Sequence, residues 1–179
     1  MTGRWPGYQS ESVDQTQTDA RSRTFSWTDP GEIVAHVAGL GGLAALRALI
    51  GAELAPPVMS LLGMEDFTVG EGVATVSLTP REYHYNPLGT VHGGILATLL
   101  DTAAACAVHS TLTPGEAYTS LDLNTKFLRP VTVESARLRC EGRVLSRGRR
   151  TALAEARLTD AAGRLVAHAT SSCLVFDAP

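Results

Sequence analysis

Hydrophobic and polar positions follow different patterns along the chain. Residues 1–30 are polar, rich in Ser, Thr, Gln and Asp, and carry no periodic apolar pattern, so we expect a disordered or loosely docked tail. Residues 31–57 are expected to form a helical N-terminal extension, because apolar residues recur at steps of three and four until two prolines interrupt the pattern. That apolar stripe consists of Leu43, Leu46, Ile50 and Leu54.

Residues 58–179 are expected to form the main domain, in which most apolar positions alternate with polar ones as in β-strands. The alternation runs through residues 73–78, 119–127, 136–144 and 152–157, and a last apolar run covers 166–176. Short, turn-like segments separate these runs, which favours hairpins and an antiparallel sheet.

One segment of the main domain, residues 92–111, departs from this alternation. Its sequence, HGGILATLLDTAAACAVHST, is rich in alanine and apolar on nearly every side. A helix that is apolar all round in a soluble protein is buried. The pattern therefore predicts an α+β fold in which one antiparallel sheet curves around a single central helix.

Composition and charge mainly exclude function classes. The 179 residues suit one domain with a tail, and 15 basic against 18 acidic residues leave a net charge of −3, so nucleic acid and anionic membranes are not expected partners. The longest uncharged apolar run, residues 33–46, is shorter than the roughly 20 residues that span a bilayer. The N-terminus lacks the apolar core of a signal peptide, and three widely spaced cysteines form a poor disulfide framework and a poor zinc site. We therefore expect a cytoplasmic protein without a metal.

Asp101 lies in the middle of the apolar helix, between Leu100 and Ala103. Burying a carboxylate costs several kcal/mol unless partners or a cavity compensate. It is either a structural aspartate bonded to Thr98 or to a neighbouring strand, or a pocket carboxylate that acts as a base or nucleophile. Spacing alone leaves both interpretations open.

The residues that enter the helix, NPLGTVHGG from Asn86 to Gly94, have a second candidate chemistry. Two glycines in a first helical turn destabilise the helix by about 1 kcal/mol each. They also let a ligand approach free N–H groups at the positive end of the helix dipole, which suits a polarised carbonyl. A tight turn that needs a flexible backbone is equally compatible, and His92 taken alone is more often structural than catalytic.

The spacing of these two features bears on assembly. Gly93 and Asp101 are eight residues apart, about 12 Å along a helix, whereas a reacting carbonyl must lie roughly 3 Å from both its oxyanion donor and its attacker. If both serve one site, the natural solution is two chains with antiparallel helices, one supplying the glycine end and the other the aspartate.

The combined motifs resemble the hotdog-fold acyl-CoA thioesterases, most closely their phenylacetate-pathway (PaaI-like) branch. The matching segments include NPLGTVHGGILATLLDTA, TSLDLNTKFLRP and GRVLSRGRRTALAEARLTDAAGRLVAHATSSCLVF, and the resemblance covers about residues 58–177. The spacing N-x5-HGG-x6-D followed by the strand segment is far more specific than HGG alone.

The resemblance implies a role for each matching residue. Asp101 matches the carboxylate that activates the hydrolytic water or attacks the thioester, and Gly93 matches the N–H that polarises the carbonyl. Asn86 and His92 match the polar pair that holds the thioester and orients the site, and Ser120 matches a hydroxyl that can hold the water near the aspartate. In the family the aspartate and the helix N-terminus come from different subunits.

The coenzyme contacts stay open at this point. Arg149, Arg150 and Thr151 stand at a turn between two predicted strands and can meet phosphates through charge and hydroxyl contacts. Solvated turn arginines are an equally good interpretation.

Taken together, the sequence predicts a cytoplasmic hotdog-fold thioesterase that hydrolyses an aromatic or medium-chain acyl-CoA to the free acid and CoA. Because the chain has no ligand cluster and no phosphate-binding GxxxxGK[ST] segment, we expect neither a metal nor an organic cofactor. The family implies a homo-oligomer, a dimer or a dimer of dimers. The alternatives are a non-catalytic acyl-CoA-binding or sensing protein and a hotdog dehydratase.

Overall fold

The computed structural model describes residues 21–178, which form one antiparallel sheet wrapped around a central helix. The helices are α1 (Pro30–Val37), α2 (Gly42–Gly51), α3 (Pro57–Leu62) and the central helix α4 (Gly93–His109). The strands are β1 (Met64–Gly70), β2 (Val73–Leu78), β3 (Glu116–Ser120), β4 (Asn124–Phe127), β5 (Leu138–Arg147), β6 (Thr151–Thr159) and β7 (Leu165–Asp177). Short 3-10 turns lie at Glu82–His84 and Val133–Ser135.

The sheet has the order β1-β2-β5-β6-β7-β3, and β4 pairs with β7 beside β3. All pairings are antiparallel, as the alternating pattern predicted. Together with the long helix packed on the sheet, this is the hotdog arrangement that the resemblance implied.

The predicted strand over residues 119–127 is divided in two. Ser120 at the end of β3 pairs with Cys173, and β4 resumes at Asn124 lower on β7. Asp122 fastens the gap, because its carbonyl accepts a hydrogen bond from the Ser171 hydroxyl (2.8 Å) and its carboxylate accepts one from the Ser172 N–H (3.0 Å). The segment 121–123 consequently leaves the sheet next to the central helix.

Small residues let α4 lie directly on the sheet. A Cβ atom at Gly142 in β5 would lie 2.1 Å from the Ala103 carbonyl oxygen, so a side chain at 142 would displace the helix. Alanines line the rest of the contact, and each is at most 3% exposed: Ala103, Ala104, Ala107, Ala152, Ala154 and Ala156. Small residues, and not aromatic ones, therefore fill the contact between the helix and the sheet, in keeping with the low aromatic content of the chain.

Two helices, α1 and α2, take the place of one continuous stripe in the N-terminal extension, and a third helix, α3, begins at its end. The chain turns between α1 and α2, and Pro57 begins α3, as proline can at the first helical position. Helix α2 packs against the C-terminal end of α4: a Cβ at Gly42 would lie 1.7 Å from the His109 carbonyl oxygen, and the Gly42 N–H donates to the Leu112 carbonyl (2.9 Å).

Most of the predicted tail, residues 1–20, lies outside the described residues. Residues 21–29 have no regular secondary structure, but Arg23 binds the end of α3. The Arg23 guanidinium donates to the carbonyls of Ser60 (3.1 Å) and Leu61 (2.5 Å) at the end of α3 and stacks 4.3 Å from the centre of the Tyr83 ring. No helix within residues 21–178 is long and apolar enough to cross a membrane.

Candidate active site

The entry of α4 leaves one backbone N–H available. His92 is the N-cap, and its Nδ1 accepts a hydrogen bond from the Gly94 N–H (2.9 Å). Among the described residues, the Gly93 N–H donates no hydrogen bond. A free donor at the positive end of a helix is a site for an oxyanion or a polarised carbonyl oxygen. Because Nδ1 accepts, a neutral His92 carries its proton on Nε2 and can donate it outward.

Asn86 shapes the loop that leads to this entry. Its Oδ1 accepts from the backbone N–H groups of Leu88 (2.9 Å) and Thr90 (3.3 Å), and its Nδ2 donates to the Thr90 hydroxyl (3.1 Å). Such an Asx turn replaces backbone pairing across a tight loop. Asn86 therefore acts structurally in the single chain while it lies beside the helix entry.

Phe127 is a residue of this region that sequence reasoning missed. Its ring lies against Gly93, where a Cβ would stand only 3.2–3.6 Å from three ring atoms. Asn86, Gly93, Phe127 and Arg129 line one shallow depression, here called the entry depression. A side chain at 93 would thus press on the Phe127 ring, so glycine suits this position by its small size as well as by access to its N–H.

Asp101 and Ser120 meet in a second depression, here called the aspartate depression. It is lined by Thr98, Asp101 and residues 120–123, where the chain leaves the sheet. Burial raises the pKa of the Asp101 carboxyl, and a hydrogen bond from the Ser120 side chain opposes part of that rise. The Thr98 hydroxyl donates to the Gly94 carbonyl (2.8 Å), so of the two structural partners considered for Asp101, the neighbouring strand is the one present.

The structure brings the predicted residues together in two groups and keeps the groups apart. Asn86 and Gly93 share the entry depression, whereas Asp101 and Ser120 share the aspartate depression. Gly93 and Asp101 both belong to the single helix α4, where eight residues correspond to about 12 Å. One chain therefore does not place its own free N–H beside its own carboxylate.

The turn between β5 and β6 carries the predicted coenzyme contacts. Arg149, Arg150 and Thr151 are exposed, and Thr151 pairs with Leu174, which also pairs with Thr119 beside Ser120. Two strand spacings, roughly 10 Å, thus separate this turn from the aspartate depression along the sheet.

Arg147, which the sequence did not single out, holds this turn in shape. Its guanidinium forms an ion pair with Glu116 on β3 (3.0 Å) and donates to the Gly148 carbonyl. Among residues 21–178, Arg149 and Arg150 have no carboxylate partner within ion-pair distance. Both guanidinium groups are thus available to anions.

The outward face of α4 is only partly covered by its own chain. Ile95, Ala97, Thr98, Thr102 and Ala105 remain half-buried, although the helix was predicted to be buried on every side. An apolar helix face left open in this way suits a partner surface. The described part of the chain contains no group of three or more His, Cys, Asp or Glu residues that could hold a metal ion.

Comparison with known proteins identifies relatives of this site-bearing segment. The model of the thioesterase superfamily matches residues 88–167, which include α4 and strands β3 to β6. Acyl-coenzyme A thioesterase 13 of Mus musculus is 33% identical over 107 residues, which are 54% of this chain and 75% of that protein.

Two further proteins define how far the similarity extends. A protein of Halobacterium salinarum is 40% identical over 78 residues, and the chain spans only about half (52%) of that relative. The crystal structure of a phenylacetic acid degradation-related protein from Ralstonia eutropha superposes with a TM-score of 0.64 at 32% identity, covering 72% of this chain and 97% of that one. The similarity to solved structures thus extends over nearly the whole length of such a relative.

Proposed function

The chain belongs to the thioesterase superfamily of hotdog-fold thioester hydrolases, and on that premise we propose that it hydrolyses acyl-CoA, with an aromatic or medium-chain acyl group, to the free acid and CoA. The observation that carries the proposal is the pair of functional groups on α4, the free Gly93 N–H at the helix entry and the half-buried Asp101 carboxylate. The N–H can donate a hydrogen bond that polarises a carbonyl group, and the carboxylate can act as a base or nucleophile.

In the proposed reaction the thioester carbonyl oxygen accepts a hydrogen bond from the Gly93 N–H, aided by the helix dipole. Asp101 either removes a proton from an attacking water or attacks the carbonyl carbon itself, and Ser120 holds the water or the carboxylate in place. With Asp101 as the base, the water oxygen bonds to the carbonyl carbon, the C–S bond breaks, and the CoA sulfur leaves as the thiol with the proton that Asp101 had taken from the water. With Asp101 as the nucleophile, cleavage of the C–S bond releases the CoA thiolate, which is protonated by water, and leaves an acyl-aspartyl anhydride that a second water hydrolyses to the free acid and the restored carboxylate. His92 Nε2 and Asn86 orient the thioester at the helix entry.

We propose that each site is shared by two subunits. The separation of the entry depression from the aspartate depression within one chain supports this, as does the half-open outer face of α4. Antiparallel packing of two such helices about a two-fold axis would place Gly93 of one chain opposite Asp101 of the other. A dimer of dimers is compatible with the same contact.

The exposed turn at residues 149–151 is proposed to bind CoA phosphates. Arg149 and Arg150 offer guanidinium groups, and Thr151 offers a hydroxyl. The three free cysteines of the chain, Cys106, Cys140 and Cys173, suit the reducing cytoplasm that we propose as its location.

The test is the substitution Asp101→Asn, which keeps the shape of the side chain and removes its charge. Released CoA thiol is measured over a panel of aromatic and aliphatic acyl-CoAs, with Asp177→Asn, at an exposed strand end, as the matched control. We expect the Asp101 variant to lose roughly 10²-fold or more in turnover, the scale seen when a single catalytic donor is removed from other enzymes.

Turnover by Asp101→Asn above about a tenth of the wild-type rate would contradict the assigned role. Binding of acyl-CoA by the wild-type protein without any release of thiol would instead favour the non-catalytic alternative. Both outcomes are read from one preparation, by calorimetry and by thiol detection.

A further inference from the structure

A partly enclosed, mainly apolar cavity lies between the N-terminal extension, β1 and α4, and it shares no lining residue with either depression. Its volume is about 250 Å³. An apolar cavity of roughly 150 Å³ already accommodates benzene, so this one has room for a larger group. Most of its wall comes from α2, the loop between α2 and α3, and the start of β1, while α3 and α4 contribute one residue each. The main apolar wall residues are Leu49, Leu54, Met59, Met64, Phe67 and Cys106.

We propose that this cavity, here called the extension cavity, binds the distal carbons of the acyl chain and so selects acyl groups of medium length. The inference rests on the proposed function, since it assigns a place to one part of the proposed substrate. Neither depression offers a comparable apolar enclosure, because the entry and aspartate depressions are shallow and lined partly by polar groups. Apolar ligand groups are bound in concave, largely preformed apolar sites.

Cys106 is the α4 residue of the cavity wall, and Asp101 lies on the same helix. Cys106 lies five residues beyond Asp101 on α4, about 7.5 Å along the helix axis. The thiol is close enough to Asp101 for the carboxylate charge to contribute, after burial, to raising the pKa of Cys106 to about 12. An acyl group held by its carbonyl near Asp101 must therefore be several carbons long before its end enters the extension cavity.

Charge at the cavity mouth defines the kind of acyl group that fits. Glu53, Glu65 and Asp66 lie at the rim. Arg137 forms ion pairs with Glu65 (3.8 Å) and Asp66, whereas Glu53 has no such partner within residues 21–178. A terminal carboxylate would meet like charge and lose its hydration on entry. The cavity thus suits an acyl chain with an uncharged, apolar end.

The cavity wall is held in place by the packing of α2. Ala45 and Leu46 are buried, and Gly42 lies against the α4 backbone. Helix α3 is fastened in turn by Arg23 at its C-terminal carbonyls. A wall fixed in this way discriminates between chain lengths, because it cannot yield to accommodate a longer group at no cost.

The test changes the size of the cavity at Leu49. Leu49→Trp fills it and Leu49→Ala enlarges it, while Leu61→Trp and Leu61→Ala make the same changes at an exposed leucine of α3 outside the wall. We expect Leu49→Trp to lower the ratio of kcat/KM for octanoyl-CoA to that for acetyl-CoA by about tenfold or more, chiefly through KM. Leu49→Ala should raise the ratio for dodecanoyl-CoA to octanoyl-CoA, and the Leu61 variants should leave both ratios as in the wild type.

A binding measurement separates this inference from the proposed function. The thioethers S-octyl-CoA and S-ethyl-CoA have no bond that the protein can hydrolyse, so their affinities are measured by calorimetry irrespective of turnover. We expect the wild-type protein to prefer S-octyl-CoA and Leu49→Trp to lose that preference. If acyl-CoAs are hydrolysed but both Leu49 variants treat all chain lengths as the wild type does, the inference is overturned and the proposed function stands. If no acyl-CoA is hydrolysed and the thioether preference still depends on Leu49, the proposed function fails and the extension cavity remains an acyl-binding site.

Discussion

Asp101 is half-buried, yet its proposed role requires an ionised carboxylate. Desolvation favours its neutral form and raises the pKa of the carboxyl, whereas the Ser120 hydrogen bond favours the ionised form. A base or nucleophile must be deprotonated to act. As the pH is lowered, activity should therefore be lost at a pH above the pKa of an ordinary, solvated aspartate.

Removal of the Ser120 hydroxyl should make this effect larger. In Ser120→Ala the stabilisation of the carboxylate is lost while its burial remains, so the pKa of Asp101 rises further and the acid limb of the kcat profile moves to higher pH. The measurement is thiol release across pH. Thr119→Ala, an exposed neighbour on the same strand, is the control, and a limb that moves to lower pH would exclude this role for Ser120.

Sequence alone identified the residues whose chemistry is unusual for their surroundings. A carboxylate in an alanine-rich helix and a glycine pair at a helix start are visible without a structure, so Asp101 and Gly93 could be predicted as site residues from the sequence. Phe127 and Arg147 were missed, because their significance lies in contacts with Gly93 and Glu116 far away in the chain. Long-range contacts of ordinary residues leave no signal in local spacing.

At the scale of elements, α2 contains two glycines that differ in the space available for a side chain. Gly42 lies against the α4 backbone, whereas nothing lies within 4 Å of a Cβ built at Gly51. We expect Gly42→Ala to destabilise the protein by roughly 1–3 kcal/mol, as overpacking does, and Gly51→Ala to be neutral or stabilising by up to about 1 kcal/mol. Thermal or urea unfolding of the pair gives both values. Equal destabilisation by both substitutions would mean that α2 does not rest on α4 as described.

The elements were predictable where periodicity was strong. The central helix and strands β2, β5, β6 and β7 follow their apolar patterns closely. β1 was missed because a register shift between Glu65 and Thr68 places two exposed residues in succession on this edge strand, which breaks the alternation of apolar and polar positions. The break between β3 and β4 was missed because Leu121 and Leu123 continue the alternation, whereas the bonds that Asp122 makes to β7 are not visible in the sequence.

At the scale of the whole molecule, the two depressions predict complementation between defective subunits. Asp101→Asn is mixed with Gly93→Val, whose side chain would collide with Phe127 at the helix entry. Random exchange makes half of the dimers hybrid, and each hybrid has one intact site of two, so activity should recover to roughly a quarter of the wild-type value. Thiol release is followed after exchange has been verified with differently tagged chains. No recovery under these conditions would count against a shared site.

The close seating of α4 on Gly142 and the buried alanines determines where the protein can tolerate change. A larger residue at any of these positions pushes on the helix backbone, and Gly93 and Asp101 then move together because they belong to one rigid rod. Mutational tolerance should therefore be lowest under the helix, at positions that never touch a substrate. The extension contacts α4 at the C-terminal end of the helix. Substitutions in the extension can therefore change the preference for the far end of the acyl group while Gly93 and Asp101 keep their positions.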